Sequence, residues 1–324
     1  MAMIISEVDR QPDALEFDVT IVAVGYERRC RWIYEQCDIK AKSLVIGLEF
    51  GFLMEGSYAT NRRYFEGKKA VQFINGLSPS SATDIGNLID KTGAPKTPIK
   101  ILVDISSMSR LMIANVVRGL QHAAYERTID LAVAYAPSKF TGPYDVAPIR
   151  HAGPVAPWLA GWATRPDKPL GTIFGLGCEP NQALGALQTL EPDNAWAFYP
   201  KGIDRAFDKA MGDANQHLED IFDVTRFDYE ITRPSVARGR LEALLNSLEA
   251  SFRLIVVPFG PKIFAWAAIA TIVFSGRNNV GVWSFSSGDR AQPTDRDAEG
   301  AVIWHNLVID PPEIALPELD EMSA

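Results

Sequence analysis

Residues Pro98 to Leu120, PIKILVDISSMSRLMIANVVRGL, decide the fold. The apolar run Ile101-Leu102-Val103 ends at Asp104 and passes through Ile105-Ser106-Ser107-Met108-Ser109 into a long apolar-rich segment. A short β-rich run with Pro before it and hydroxyl residues after it reads as a buried parallel strand, and the segment behind it has the length and composition of a helix. The serines stand where a helix takes its N-cap. In an open parallel sheet, ligands gather beyond the carboxyl ends of the strands, where a helix N-terminus offers unpaired N–H groups and a partial positive charge. Asp104, Ser106, Ser107 and Arg110 are therefore expected on one rim.

The rest of the chain sets the limits. Its 324 residues, 47% hydrophobic and 22% charged, have an ordinary globular composition with room for two cores. A net charge of −8 argues against a surface built to coat extended nucleic acid and leaves space for one local basic cleft. Cys30, Cys37 and Cys178 make neither a disulfide framework nor a CxxC metal site, so a reducing cytosol is expected. The opening MAMIISEVDRQPDALEFDV lacks a basic region followed by an apolar one. Ile263 to Phe274 is too short to span a membrane and reads as a buried helix.

Along the chain, Phe17–Val24, Ser43–Phe50, Ala70–Ile74 and Ile129–Tyr135 read as strands. They alternate with helices in Cys30–Gln36, Tyr58–Phe65 and Ser80–Lys91. Pro143, Pro148, Pro154, Pro157, Pro166 and Pro169, with Trp158 and Trp162, then punctuate a connecting region. Beyond it the pattern returns at an offset of about 150 residues. GTIFGLG with Cys178-Glu179 matches TIVAVG with Tyr26-Glu27, and Asn194–Tyr199 matches the strand ending at Glu49-Phe50. RLIVVPFGPK, ending at Lys262, matches the stretch from Lys100 to Arg110, and Val280–Phe285 stands for Ala132–Tyr135. This order implies an α/β protein of tandem duplicated Rossmann-like units with mostly parallel, doubly wound sheets. The expected division is unit 1 over residues 1–150, a Pro-rich linker over 151–170, unit 2 over 171–310 and an acidic tail over 311–324. A single large α/β domain without internal symmetry is the alternative.

The candidate site residues lie at strand ends. Gly25 permits a sharp exit or close backbone approach after the first strand, and Glu27, Arg28 and Arg29 follow it. Without a GxGxxG fingerprint a dinucleotide coenzyme is disfavoured, so no cofactor is expected. Glu49 ends the second strand, where a ribose hydroxyl is commonly held, although a structural pair with a nearby Arg such as Arg28 explains it equally. In DISSMSR, Asp104 is placed to orient the loop or contact a ribose, Ser106 and Ser107 to donate to phosphate oxygens, and Arg110 to add charge. Plain helix capping accounts for one of these serines. In the second unit Pro258-Phe259-Gly260-Pro261-Lys262 takes the place of DISSM, with Lys262 able to reach an anion. The histidines show neither HxH nor HExxH spacing, so no metal site is expected, and no GxSxG elbow, P-loop or kinase signature occurs.

A hydrophobic strand ending in Asp, a small-residue turn and a helix, as in Ile101–Leu120, resembles the corresponding motif of the CRISPR-associated Rossmann-fold (CARF) sensors. Two such units in one chain are similar to the SAVED sensors of bacterial anti-phage systems. Where those families usually carry Thr or Gly in the turn and a Lys nearby, this chain has Ser106-Ser107 and Met108 or Arg110. The resemblance implies a cyclic or linear oligonucleotide messenger bound between two Rossmann-like units.

The expectation is a small nucleotide or oligonucleotide signal, bound at the strand ends and passed to a separate effector protein in an anti-phage defence system. A nucleotide or sugar-phosphate enzyme using Glu49, Glu27 or Asp104 as acid/base is one alternative. A noncatalytic interaction subunit docking through Pro311–Glu321 is the other. Association into oligomers stays open.

Overall fold

The computed structural model describes residues 2–8, 15–68, 70–94, 96–142, 148–161, 165–286 and 295–313. Pro143, Trp162, residues 287–294 and the part of the expected acidic tail from residue 314 onward lie outside the described residues.

The chain opens with β1 (Ile4–Val8), β2 (Glu16–Val24), α1 (Arg29–Gln36), β3 (Lys40–Glu49), α2 (Tyr58–Glu66), β4 (Val71–Asn75) and α3 (Ser81–Asp90). The deciding stretch forms β5 (Ile99–Asp104) and α4 (Arg110–Ala124), followed by β6 (Ile129–Tyr135). The second half runs β7 (His151–Pro154), β8 (Leu170–Gly175), α5 (Gln182–Leu190), β9 (Asn194–Lys201), α6 (Arg205–Asn215), α7 (Leu218–Ile221) and β10 (Val224–Glu230). It continues through α8 (Pro234–Leu248), β11 (Arg253–Pro258), α9 (Lys262–Phe274), β12 (Gly281–Ser286) and β13 (Ile303–Asp310). Among the described residues no helix is long and apolar enough to cross a membrane.

Two sheets result, ordered β1-β13-β6-β5-β2-β3-β4 and β10-β9-β8-β11-β12-β7. In each, the five parallel strands taken in chain order lie third, second, first, fourth, fifth, the arrangement of a doubly wound dinucleotide-binding sheet. The switch in direction falls between β2 and β5 in one sheet and between β8 and β11 in the other. Each sheet is extended past its fifth strand by an antiparallel strand, β13 on β6 and β7 on β12.

These added strands correct the expected division of the chain. β13, expected in unit 2, pairs with β6 and β1 in the first sheet, and β7 lies inside the expected linker yet closes the second sheet. Both were misplaced because their partners are distant in sequence, and local pattern says nothing of such pairing.

The helices explain why the halves are joined. α1 and α2 cover the outer face of the first sheet through Ile33, Tyr34 and Phe65, and α5 and α6 cover that of the second through Ala186, Leu187 and Met211. The two inner faces share one apolar core with α3, α4, α8 and α9. α4 packs on α9 at its centre. Every residue of α9 from Ile263 to Phe274 is buried, which is why its sequence is apolar all round and has no solvent stripe. β5 lies between β2 and β6 with all but one of its side chains buried, matching its unbroken apolar run.

Candidate functional site

Packing α4 on α9 brings the two fourth-strand turns face to face, and the first residue of each helix reaches across. Arg110 at the start of α4 donates from Nε to the Pro258 carbonyl (2.5 Å) and from Nη2 to the Phe259 carbonyl (2.7 Å). Lys262 at the start of α9 donates from Nζ to the Ser106 carbonyl (2.8 Å). The duplication places these two cations at equivalent positions, so the bridges are reciprocal. Burial holds the Arg110 guanidinium below its ordinary pKa and pushes the Lys262 ammonium down to about 8.

Above these bridges lies a cavity of about 350 Å³ that both units wall. Arg110, Lys262, Glu27, Arg29 and Tyr135 line its charged end. Glu27 is buried and accepts through Oε2 from Arg29 Nε (2.9 Å), from Arg29 Nη2 (2.5 Å) and from Ser107 Oγ (3.4 Å). Burial opposes the charge on Arg29, but the Glu27 carboxylate together with Tyr135 and Asp104 holds the guanidinium above its usual value. Arg29 Nη1 also donates to the Ala136 carbonyl (3.0 Å). The second unit presents Gly177, Cys178 and Glu179, the counterparts of Gly25, Tyr26 and Glu27.

The DISSMSR turn stands behind this wall. The Ser106 N–H donates to Asp104 Oδ1 (2.9 Å), and Ser106 Oγ accepts from the Ala136 N–H (2.8 Å). Both side chains are buried, and Asp104 Oδ2 has no partner. Desolvation raises the Asp104 carboxyl to about 6, despite the Ser106 hydrogen bonds and the charges of Arg29 and Lys262. Ser109 supplies the N-cap, accepting from the Met112 N–H (3.1 Å). Ser106 and Ser107 thus spend their hydroxyls on the protein and do not line the cavity. The expectation that they meet phosphate gives way to a role in shaping the turn.

The remaining candidates scatter. Gly25 serves close packing, since a Cβ there would stand 2.6 Å from the Phe50 ring, and its carbonyl accepts from Asn61 Nδ2 (2.8 Å). The equivalent bond runs from Asn215 Nδ2 to the Gly177 carbonyl (2.9 Å), another trace of the duplication. The Arg28 side chain is 64% exposed and pairs with Asp295 outside the cavity. Glu49 accepts from Tyr58 (2.6 Å) and pairs with Arg62, so the structural-pair reading holds with Arg62 as the partner in place of Arg28. Of the candidates named from sequence in the first unit and at Lys262, Glu27, Arg29, Arg110 and Lys262 line the cavity.

Sequence reasoning missed the apolar end, formed by Leu176, Phe207, Met211 and Ile231 of the second unit. Phe207 and Met211 stand one helical turn apart on α6, a spacing indistinguishable from an ordinary core stripe. In the sequence Tyr135 carries no signal beyond the end of a strand. Burial pushes the Cys30 and Cys178 thiols up to about 11 and about 12, away from the thiolate that a nucleophile needs. Among the described residues no group of three or more His, Cys, Asp or Glu side chains is placed to hold a metal ion.

No protein-family model matches the chain, and a search of the curated proteins finds no significant match.

Proposed function

We propose that the protein binds a small anionic, nucleotide-like ligand in the cleft between its Rossmann-like units. The observation that carries this reading is the coincidence of the cavity with the switch points of both sheets, where the first residues of two long helices, Arg110 and Lys262, converge. Open parallel sheets take ligands at such points. Helix N-termini and partly desolvated cations both favour negative charge. After their inter-unit bridges, Arg110 and Lys262 still hold N–H donors for an anion.

Binding is favoured over turnover because two of the three acid/base candidates stand away from the cavity and the third, Glu27, is ion-paired within its wall. Asp104 is enclosed behind the wall, Glu49 is paired with Arg62, and Glu27 is held by Arg29. In the setting that the CARF and SAVED resemblance implies, such a cytosolic sensor passes its state to a separate effector protein of an anti-phage system.

The test is a thermal-shift screen of the purified protein against mononucleotides, dinucleotides, cyclic oligonucleotides and sugar phosphates, since a ligand bound only by the native state raises the melting temperature. The expected result is a shift with at least one nucleotide that Arg110→Ala abolishes while the circular dichroism spectrum stays native. No shift with any of them overturns the reading.

A further inference from the structure

We infer that the ligand is a single nucleoside monophosphate, seated mainly on the second unit with its base at the Phe207–Met211 face of α6 and its phosphate at Arg110 and Lys262. This rests on the binding reading above and adds the ligand class and its orientation.

Size comes first. A cavity of about 350 Å³ stands at the lower end of the roughly 300–1,000 Å³ that small-molecule sites occupy. One nucleotide is commensurate with such a space, whereas a ring of three or four would have to extend out of it through the open mouth.

The two units also differ in what they leave open. In the first, Phe50 covers Gly25, and Tyr58 and Arg62 occupy Glu49, so what it turns to the cavity is the Glu27–Arg29 pair with Met108, Ser109, Arg110 and Tyr135. In the second, the equivalent turns face the cavity through Gly177, Gly202 and Asp204, and Ile203 stands 40% exposed at the mouth.

Polarity then sets the direction. The strand order β10-β9-β8-β11 carries the wall from Ile231 after β10, past Ile203 after β9 and Leu176 after β8, to Gly260 and Lys262 after β11. The wall therefore has Ile231 and Ile203 towards one side and Lys262 at the other, with Asp204 after β9 and Glu179 after β8 between them, as suits a ligand with a flat heterocycle at one end, hydroxyls in the middle and an anion at the other. Between them Asp204 follows the second strand of its unit, where a carboxylate meets ribose hydroxyls in doubly wound sheets. Its Oδ1 accepts from the Ala206 N–H (2.8 Å), and the carboxylate keeps further acceptor capacity.

The test is isothermal titration calorimetry on the full chain with the four common ribonucleoside 5′-monophosphates, their nucleosides, ribose 5-phosphate, inorganic phosphate and cyclic tri- and tetranucleotides. At least one monophosphate is expected to bind tenfold or more tightly than both its nucleoside and ribose 5-phosphate. Phe207→Ala is expected to weaken it tenfold or more. Ile203→Glu, at an exposed position that leaves the fold intact, is expected to do the same by setting a negative charge at the mouth. Ribose 5-phosphate or inorganic phosphate binding as tightly as any nucleotide, a cyclic oligonucleotide binding more tightly, or undiminished binding by Ile203→Glu overturns this inference and leaves the anion-binding reading standing. Binding of none of these compounds overturns both.

Discussion

Asp104 is a carboxylate that the fold buries with one oxygen satisfied and the other bare. Its carboxyl is raised from 3.8 to about 6 by desolvation, so the native state binds its proton more tightly than the unfolded chain does. The stabilising contribution of that proton is fully present below the unfolded value and is lost as pH rises through about 6. A shift of this size corresponds to roughly 3 kcal/mol between the two ends of the window. Asp104→Asn keeps the acceptor for the Ser106 N–H and removes the buried charge. Its stability relative to the parent should therefore rise by about 1–3 kcal/mol between pH 4.5 and pH 7.5, read from urea denaturation at both values. A difference that does not change with pH contradicts the burial of a charge there. Lys262 works in the opposite sense. Burial depresses its ammonium to about 8, so an anionic ligand that needs the charged form should lose affinity as pH rises through about 8. Lys262→Met should flatten that dependence, and a parent profile already flat from pH 7 to 9.5 removes Lys262 from the site.

At the scale of elements, the second unit's switch point is held by close backbone approach. The Gly260 N–H donates to the Gly175 carbonyl (2.8 Å), and a Cβ on Gly260 would stand 2.1 Å from the Leu176 carbonyl oxygen, a backbone atom with little freedom to move. Gly260→Ala should push the turns after β8 and β11 apart. The expected cost is about 2–3 kcal/mol in urea denaturation, with ligand binding weakened as well; an unchanged midpoint would mean that the turns are not tied. Ser109→Ala, which removes the cap of α4, should cost about 1 kcal/mol. Such contacts explain what could be read in the sequence and what could not. The strand–turn–helix units were legible because β5, β8 and β11 are short apolar runs ended by turn and capping residues, all local signals. Val224–Glu230 escaped notice because β10 is a half-exposed edge strand with polar residues along its length. Arg110 and Lys262 were legible as strand-end cations, but their crossing to the opposite unit depends on helix packing that no local pattern encodes. The serines of DISSMSR pointed to a site, and their hydroxyls turned out to serve the turn and the cap.

For the whole molecule, the deciding fact is that the helical layer between the sheets belongs to both units. α9 is enclosed by α4, α8 and its own sheet, so separating the units would expose an entirely apolar helix. A second tie runs from α9 to the first sheet. The Trp266 indole donates to His305 Nδ1 (3.1 Å), which leaves the ring proton on Nε2, facing Glu7 Oε2 at 2.9 Å. Glu7 also pairs with Arg238 of α8. Burial alone would raise the Glu7 carboxyl, and its hydrogen bonds to His305 and Arg238 reverse this and hold it low. β1, β13, α8 and α9 thus share one polar chain, buried at Trp266 and His305 and partly exposed at Glu7, which couples β1 and β13 to the inter-unit core. Unfolding should therefore be a single cooperative transition, with calorimetric and van't Hoff enthalpies in agreement. Trp266→Phe keeps the apolar bulk and leaves His305 Nδ1 without a donor. It should cost about 1–3 kcal/mol and lower that one transition without splitting it. Two resolved endotherms in the parent protein would show that the units melt separately, and the helical layer would then be an interface between independent domains in place of a common core.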